Sequence, residues 1–543
     1  MKELLKRFLF PLGLIVSTGL ALFLCFDFYK SLPNVLPIDD CYIILAYARN
    51  VLRYGDLFSY NHGLITTGIT SPLYCLCIAA GKAITGDWLA SVSLVGVIFF
   101  VASLTMGSLY AFKISERGQA GKTAAILFIL FWGCWGYIGY FTFCGMEPIM
   151  HVAISFALLI AFESRRYLVT GLLLGASAMV RPESVFLALV LGFDPAARFA
   201  AALFRKDRAA LSRPVKDGLL LIAGFLLTYG PWMAWCLSIT GSVFPATVSV
   251  KTHVQEWKAI LHYISSLVFM YDPDVFDVRF SARACGPSYW VSLRESFPVA
   301  LLALAAVPYL IKTPRRLLPL LYPILHIALT CTKSTTSGEN MRYMVLDYSF
   351  FMLYFAVAAA KAIMTPIPTD SMRAFASRTL IKSSGCIFAF LLTLMILEDY
   401  QRNERHFAFG ARYFDRLDYS IGKWLADNTP PQAKVALNQA GGIKFFSDRE
   451  TIDLVGLTDH TLFPYIKGPL NPAQALVDRD VDYIASFGED WLAGWGLDMR
   501  NTALFTRIPL QCRGLYKVNK PALRSFVNTK FPRESTTSKG ERE

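Results

Sequence analysis

Long apolar runs separated by short charged intervals recur from Phe8 to about Leu397. A helix needs roughly 20 predominantly apolar residues to cross about 30 Å of hydrocarbon. The pattern therefore predicts helices at about 8–28, 88–112, 122–139, 147–163, 167–180, 184–193, 218–238, 297–311, 317–332, 343–363 and 383–398. Those are about eleven spans on the usual length rule. The two segments 167–180 and 184–193 are short for a crossing. They read as a broken pair whose polar break, Arg181 to Glu183, must be shielded within protein.

Beyond about residue 399 the pattern changes. A helix is predicted around 419–428, ended by Pro430 and Pro431, with short strand-like runs at 434–437, 452–455 and 481–485 and turn residues such as Gly441 and Gly442. The fold class expected is a polytopic α-helical membrane protein with a C-terminal soluble α/β domain. Residues 1–399 form the membrane module, with external loops at about 30–87 and 239–296; residues 400–543 form the domain, with a polar, disordered tail at about 533–543.

Composition agrees. Of 543 residues, 54% are hydrophobic and 17% charged, and the mean hydropathy is +0.42. The net charge of +13 does not imply nucleic acid, because the basic residues lie between apolar segments rather than in one patch. They mark topology instead. Lys2, Lys6 and Arg7 place the amino terminus inside, and the clusters at Lys113–Lys122, Arg165–Arg166, Arg198–Lys216, Lys312–Arg316 and Arg373–Lys382 all fall on the same side. An odd number of spans then puts the C-terminal domain outside the cytoplasmic (inner) membrane of a bacterium. The run 72–85 contains Lys82 and would invert this pattern if it crossed, so it reads as an interfacial helix, as does 40–54. The first apolar run is long and lacks a convincing cleavage site, which makes it a retained anchor. Most of the 11 cysteines, including Cys25, Cys75, Cys77, Cys134, Cys236, Cys331 and Cys386, sit in or beside apolar runs and read as small buried hydrophobes.

The candidate chemistry starts from adjacent Asp39 and Asp40, just past the first span and after Pro37. Helix capping by both acids would account for the pair if it stood alone. On the expected topology, however, Glu147, Arg181, Glu183, Lys251 and Arg342 fall at or near the same outer face. Ionisable groups are costly in lipid, so their gathering on one face suggests a polar cavity. Each also has a plain structural reading, as an interfacial acid, an ion pair closing a helix break or a snorkelling base. The aromatics Trp132, Trp135, Tyr137, Tyr140 and Phe141 fit interfacial anchoring better than sugar stacking.

The stretch DDCYIILAYARNVLRYGDLFSYNHGLITTGITSPLY resembles the first external loop of the GT-C glycosyltransferase superfamily, particularly the branch containing the terminal β-(1→2) arabinofuranosyltransferase AftB. The resemblance continues in order through FCGMEPIM, MVRPES, GSVFPATVSVKT, MRYMV and TIDLVGLTDH. It implies an inverting glycosyltransferase with a polyprenyl-phosphate-linked sugar donor in the bilayer and a glycan or glycolipid acceptor of the cell envelope. It also implies an acidic base in the first loop. Asp39 is the candidate base, with Asp40 supporting it or replacing it. Arg181, Lys251 and Arg342 are the candidate partners of the donor phosphate, and Glu147 and Glu183 orient them or bind sugar hydroxyls. A divalent metal, Mg²⁺ or Mn²⁺, stays open, although no compact ligand motif is present. Two departures stand out: MVLDYS after Arg342 and Tyr343, where relatives tend to have a proline, and Cys41 in place of a small residue after the acid pair. The rival readings are a flippase for lipid-linked sugar, a protein O-glycosyltransferase and a non-catalytic glycan receptor. The lack of an internal repeat weighs against the first.

Overall fold

The computed structural model describes residues 2–251, 303–330, 342–364, 400–486, 491–510 and 514–532. The expected span at 383–398, most of the loop 239–296 and the tail 533–543 lie outside the described residues. The chain divides into two compact units, one of Met1–Asn34, Ser71–Trp235 and Lys251–Gly410, the other of Val35–Thr70, Cys236–Val250 and Ala411–Glu543.

The described part of the first unit is helical. Among the described residues, Phe10–Lys30, Trp88–Ile114, Ser184–Phe204, Arg208–Thr240 and Arg342–Met364 are long and apolar enough to cross a membrane. Gly118–Gly133 and Gly136–Phe143 are bent by 64° and would make a sixth span together. The expected single helix at 122–139 breaks there because Trp135 adopts extended backbone (φ −76°, ψ 121°) between Gly133 and Gly136. Pro72–Thr85, Pro148–Glu163 and Tyr167–Val180 are shorter apolar helices. In place of the regular spans expected near 297–332, short turns Leu304–Ala306 and Pro314–Leu320 flank Val307–Leu310, and a regular helix resumes only over Leu321–Thr330. Pro314 and Pro319 lack the N–H groups that a continuous helix would use.

The segment expected to end at 193 instead runs unbroken to Phe204, so it is not half of a short pair. Asp194 and Pro195 look like a stop in the sequence. In the structure the Asp194 carboxylate accepts from the Tyr167 hydroxyl at 2.7 Å and pairs with Arg198 at 3.0 Å, which also meets Asp217 at 2.9 Å. The polar interruption is neutralised by neighbours, and the helix continues. Tyr167–Val180 crosses Arg208–Thr240 at two glycines. A Cβ on Gly171 would lie 2.2 Å from the Leu221 carbonyl oxygen, and one on Gly224 would lie 2.4 Å from that of Leu168. Such close backbone approach is how helices gain contact in lipid, where burial of apolar surface gives no advantage.

In the second unit the helix Asp39–Tyr54 begins after extended Ile38 (φ −128°) and stops at Gly55, whose left-handed backbone (φ 71°) turns its N–H to the Val51 carbonyl. Residues Cys41 to Asn50 are all buried. This corrects the expectation of an interfacial helix, for a helix lying on a bilayer surface keeps one face in water. A short antiparallel hairpin follows, β1 (Ser59–Asn61) with β2 (Leu64–Ile65). Among the described residues the remaining strands are β3 (Lys434–Leu437), β4 (Glu450–Asp453), β5 (Tyr483–Ala485), β6 (Phe505–Arg507) and β7 (Leu515–Val518). They form one sheet in the order β4-β3-β5-β7-β6, with β3 parallel to β4 and β5, and β7 antiparallel to β5 and β6. Ala436, Ile452, Ile484 and Tyr516 of the strands bury against Leu476, Leu523 and Val527 of the helices Pro472–Asp478 and Lys520–Lys530. The first of these helices starts on an Asn471–Gln474 capping box with Pro472 in its first turn, and the second is capped by Asn519.

The glycine crossing gives a direct test. Gly171→Ala should lower the thermal unfolding midpoint of the detergent-solubilised protein, an overpacking cost of about 1–3 kcal/mol. Gly192→Ala, where nothing lies within 4 Å of the new Cβ, should leave the midpoint unchanged or raise it.

Candidate functional site

The candidate residues fall into two clusters, each within one unit. In the second unit the Asp39 carboxylate accepts two backbone N–H groups, from Gly441 to Oδ2 at 3.0 Å and from Gly442 to Oδ1 at 2.7 Å. A Cβ on Gly441 would lie 1.9 Å from the Asp39 carbonyl oxygen, so the position requires glycine. Beside this pair stands Asp418, a buried acid on the π-helical turn Asp415–Tyr419. With its amide turned to donate, Gln439 sets its nitrogen 3.0 and 3.2 Å from the two Asp418 oxygens. The hydroxyl of buried Tyr60 donates to the Ala440 carbonyl, inside the same four-residue segment.

Burial pushes the Asp39 carboxyl well above the usual range, and the Asp418 and Asp40 charges push the same way, while the Gly442 and Gly441 N–H groups pull it back. Burial also raises Asp418, to about 7. Asp40 is half-buried in the first turn of the helix. Nearby, burial and the Arg49 charge bring Lys444 down to about 7; its amine donates to Asn61 Oδ1 and to the Arg449 carbonyl, both at 2.7 Å.

The motifs of the first loop close around this cluster. Tyr47 and Thr66 share a hydroxyl–hydroxyl bond of 2.6 Å, and Ala246 of the FPATV segment donates its N–H to Thr67. In TIDLVGLTDH, Asp453 is fully buried and accepts from the Val455 and Thr458 N–H groups, so that acid holds a loop rather than facing solvent. Lys251 ends the short helix Ala246–Lys251; its side chain lies outside the described positions.

The first unit brings together Glu147, Arg181, Glu183 and Arg342. Arg181 Nη1 donates to Glu147 Oε1 at 2.6 Å and Nη2 to Glu183 Oε1 at 3.3 Å, and all three side chains are largely buried. The guanidinium groups of Arg181 and Arg342 lie 4.5 and 5.1 Å from the centre of the same Tyr343 ring. Arg342 also reaches the Tyr343 hydroxyl at 3.3 Å and Met146 Sδ at 4.0 Å. His151 bonds Ser184 at 2.8 Å, Ser184 bonds Ser177 at 2.9 Å, and His326 Nδ1 meets Asp347 Oδ2 at 2.8 Å with ring and carboxyl fully buried.

Sequence reasoning missed Asp418, Gln439, Tyr343, His151 and the His326–Asp347 pair. The Gly441–Gly442 doublet was visible only as a turn, and Asp347 only as a departure from the relatives. Among the described residues no group of three or more His, Cys, Asp or Glu is arranged to hold a metal ion.

This architecture is that of a polytopic helical membrane protein. Two solved structures share it: ArnT from Cupriavidus metallidurans in the apo state, with a TM-score of 0.58 at 11% identity over 94% of this chain and 98% of that one, and the same protein bound to undecaprenyl phosphate, with a TM-score of 0.56 at 11% identity over 93% and 97%. At that identity the likeness establishes the fold alone. Residues 406–526 match a family described as Domain of unknown function (DUF8728). No curated protein matches the sequence.

The Arg181 triad should behave as a buried ion cluster. Arg181→Met leaves two carboxylates unpaired and should cost about 3–5 kcal/mol of unfolding free energy. Adding Glu147→Gln and Glu183→Gln to it should recover most of the loss in the same unfolding assay.

Proposed function

We propose that this chain is an inverting glycosyltransferase that moves a sugar from a polyprenyl-phosphate donor to a cell-envelope glycan or glycolipid on the outer face of the cytoplasmic membrane. The observation that carries this reading is the fold shared over 93% of the chain with an ArnT structure bound to undecaprenyl phosphate. The ordered motifs that resemble the GT-C superfamily support it independently.

In this reading an acceptor hydroxyl attacks the anomeric carbon, the bond from that carbon to the phosphate oxygen breaks, and the hydroxyl proton passes to Asp39. A base works best when its proton affinity lies near the working pH, and the raised value of Asp39 moves it in that direction. Asp40, one residue on and about 100° round the helix, is the alternative base. Arg342, Lys251 and Arg181 are the proposed cationic partners of the leaving phosphate. Arg181 gives two of its donors to Glu147 and Glu183, and a guanidinium has five. The two glutamates fix that arginine and take sugar hydroxyls with their remaining lone pairs. The proposed topology has about eleven spans, given roughly 20 residues for each, a cytoplasmic amino terminus and residues 400–543 outside.

The test is mass analysis of envelope glycans from cells lacking the chain, complemented with wild type, Asp39→Asn or Asp40→Asn. One sugar should disappear in the deletion strain, return with wild type and stay missing with Asp39→Asn, whose transfer rate should fall by about 10²- to 10⁴-fold. Loss with Asp40→Asn and retention with Asp39→Asn would move the base to Asp40. An unchanged glycan profile in the deletion strain would overturn the transferase reading.

A further inference from the structure

We infer that Asp418 is a positioning residue for the proposed base: it and Asp39 form a carboxyl pair on one backbone segment, and its negative charge strengthens Asp39 as a proton acceptor. The inference rests on the reading of Asp39 as base and goes beyond it by assigning a partner in the last quarter of the chain.

The geometry is local to the second unit. Residues 439–442 are held by both acids, Asp39 taking the N–H groups of Gly441 and Gly442 and Asp418 facing the Gln439 amide. Between them the Ala440 carbonyl is held by Tyr60. Asp418 owes its direction to the π turn Asp415–Tyr419. Such a turn adds a residue to the helix and recurs at functional positions; in regular α-helix the side chain would point elsewhere. Only 5% of Asp418 is exposed, so water screens its charge poorly. The charged groups acting on Asp39 are Asp418 and Asp40, and Tyr42 and Tyr60 are further titratable neighbours. Two neighbouring carboxylates shielded from water resist joint ionisation, so their titration steps belong to the pair.

The full-length protein in lipid nanodiscs allows a test that needs no substrate. Infrared difference spectra recorded across pH follow the protonated carboxyl band in wild type, Asp39→Asn, Asp418→Asn and Gln439→Leu. In Asp418→Asn the band remaining from Asp39 should titrate on the order of one pH unit lower or more. Gln439→Leu keeps both acids but takes a donor from the Asp418 anion, so the upper titration step of the pair should move to higher pH; this variant serves if Asp418→Asn does not fold. In parallel, transfer is measured with lipid-linked sugars extracted from the native membranes. The acid limb of the Asp418→Asn pH–rate profile should shift down with the infrared titration, and Asp418→Glu should restore the wild-type profile. If Asp39→Asn abolishes transfer while neither neighbouring variant moves the titration, the base stands and this inference is overturned. Wild-type transfer by Asp39→Asn would overturn the base itself.

Discussion

The Asp39 carboxylate bonds to backbone N–H groups 402 and 403 positions further along the chain, and that contact makes the first loop and the carboxy-terminal sheet parts of one folded unit. It imposes a steric condition as well as an electrostatic one, since Gly441 packs against the Asp39 backbone with no room for a side chain. The departure at Cys41 fits the same constraint. The residue after the acid pair is buried, and its thiol donates to the Ile38 carbonyl at 2.9 Å, so it serves the first helical turn as a small internal residue. The next residue, Tyr42, stacks on Phe414 with the rings 2° from parallel and 4.6 Å apart. The helix Asp39–Tyr54 is therefore an internal element of the unit, which explains why its central ten residues are buried on every side.

The first unit is governed by the cost of placing charge where water is scarce. Arg181 and Glu183 occupy the break between Tyr167–Val180 and Ser184–Phe204, and Glu147 immediately precedes Pro148–Glu163. Placed at helix ends, these groups satisfy one another without interrupting a helix, and the Tyr343 ring gives the two arginines a shared apolar yet electron-rich face. The MVLDYS departure follows the same rule. Asp347 brings a fully buried acid into a helix, and His326 from the helix Leu321–Thr330 meets it. An acid at that place is tolerable only with such a partner, because an unpaired buried charge is among the most destabilising features a protein can hold.

What could be read in the sequence was what depends on local periodicity. The apolar runs located the helices Trp88–Ile114, Pro148–Glu163 and Tyr167–Val180 to within a few residues, and the Arg181–Glu183 break stands where the polar interruption indicated. The β3 strand coincides with the run expected at 434–437, and β5 lies within that expected at 481–485. The failures have the opposite character. The helix end expected at 193 takes no account of the tertiary partners Tyr167 and Arg315 that meet Asp194, and the π turn that aims Asp418 leaves no periodic trace. The motifs also divide in a way their linear order conceals. DDCYIILAY, the GLITTG stretch, FPATV and TIDLVGLTDH belong to the second unit, while FCGMEPIM, MVRPES and the described part of MRYMV belong to the first.

The polar interior of the second unit shows why its acid pair is informative. Buried Arg449 is met by neutral oxygens throughout: the Thr429 hydroxyl and the carbonyls of Ser447, Leu425, Ala426 and Thr429. Lys444 is likewise held by Asn61 and a carbonyl, which ties the hairpin to the start of β4 through Asn61 and Thr451. Dipoles and hydrogen bonds thus satisfy these buried cations, the arrangement expected of side chains whose work is structural. Asp39 and Asp418 are also met by N–H groups, yet they set like charges near one another where a neutral residue at position 418 would cost less. Two like charges kept together at a cost to folding mark a place that serves something other than stability.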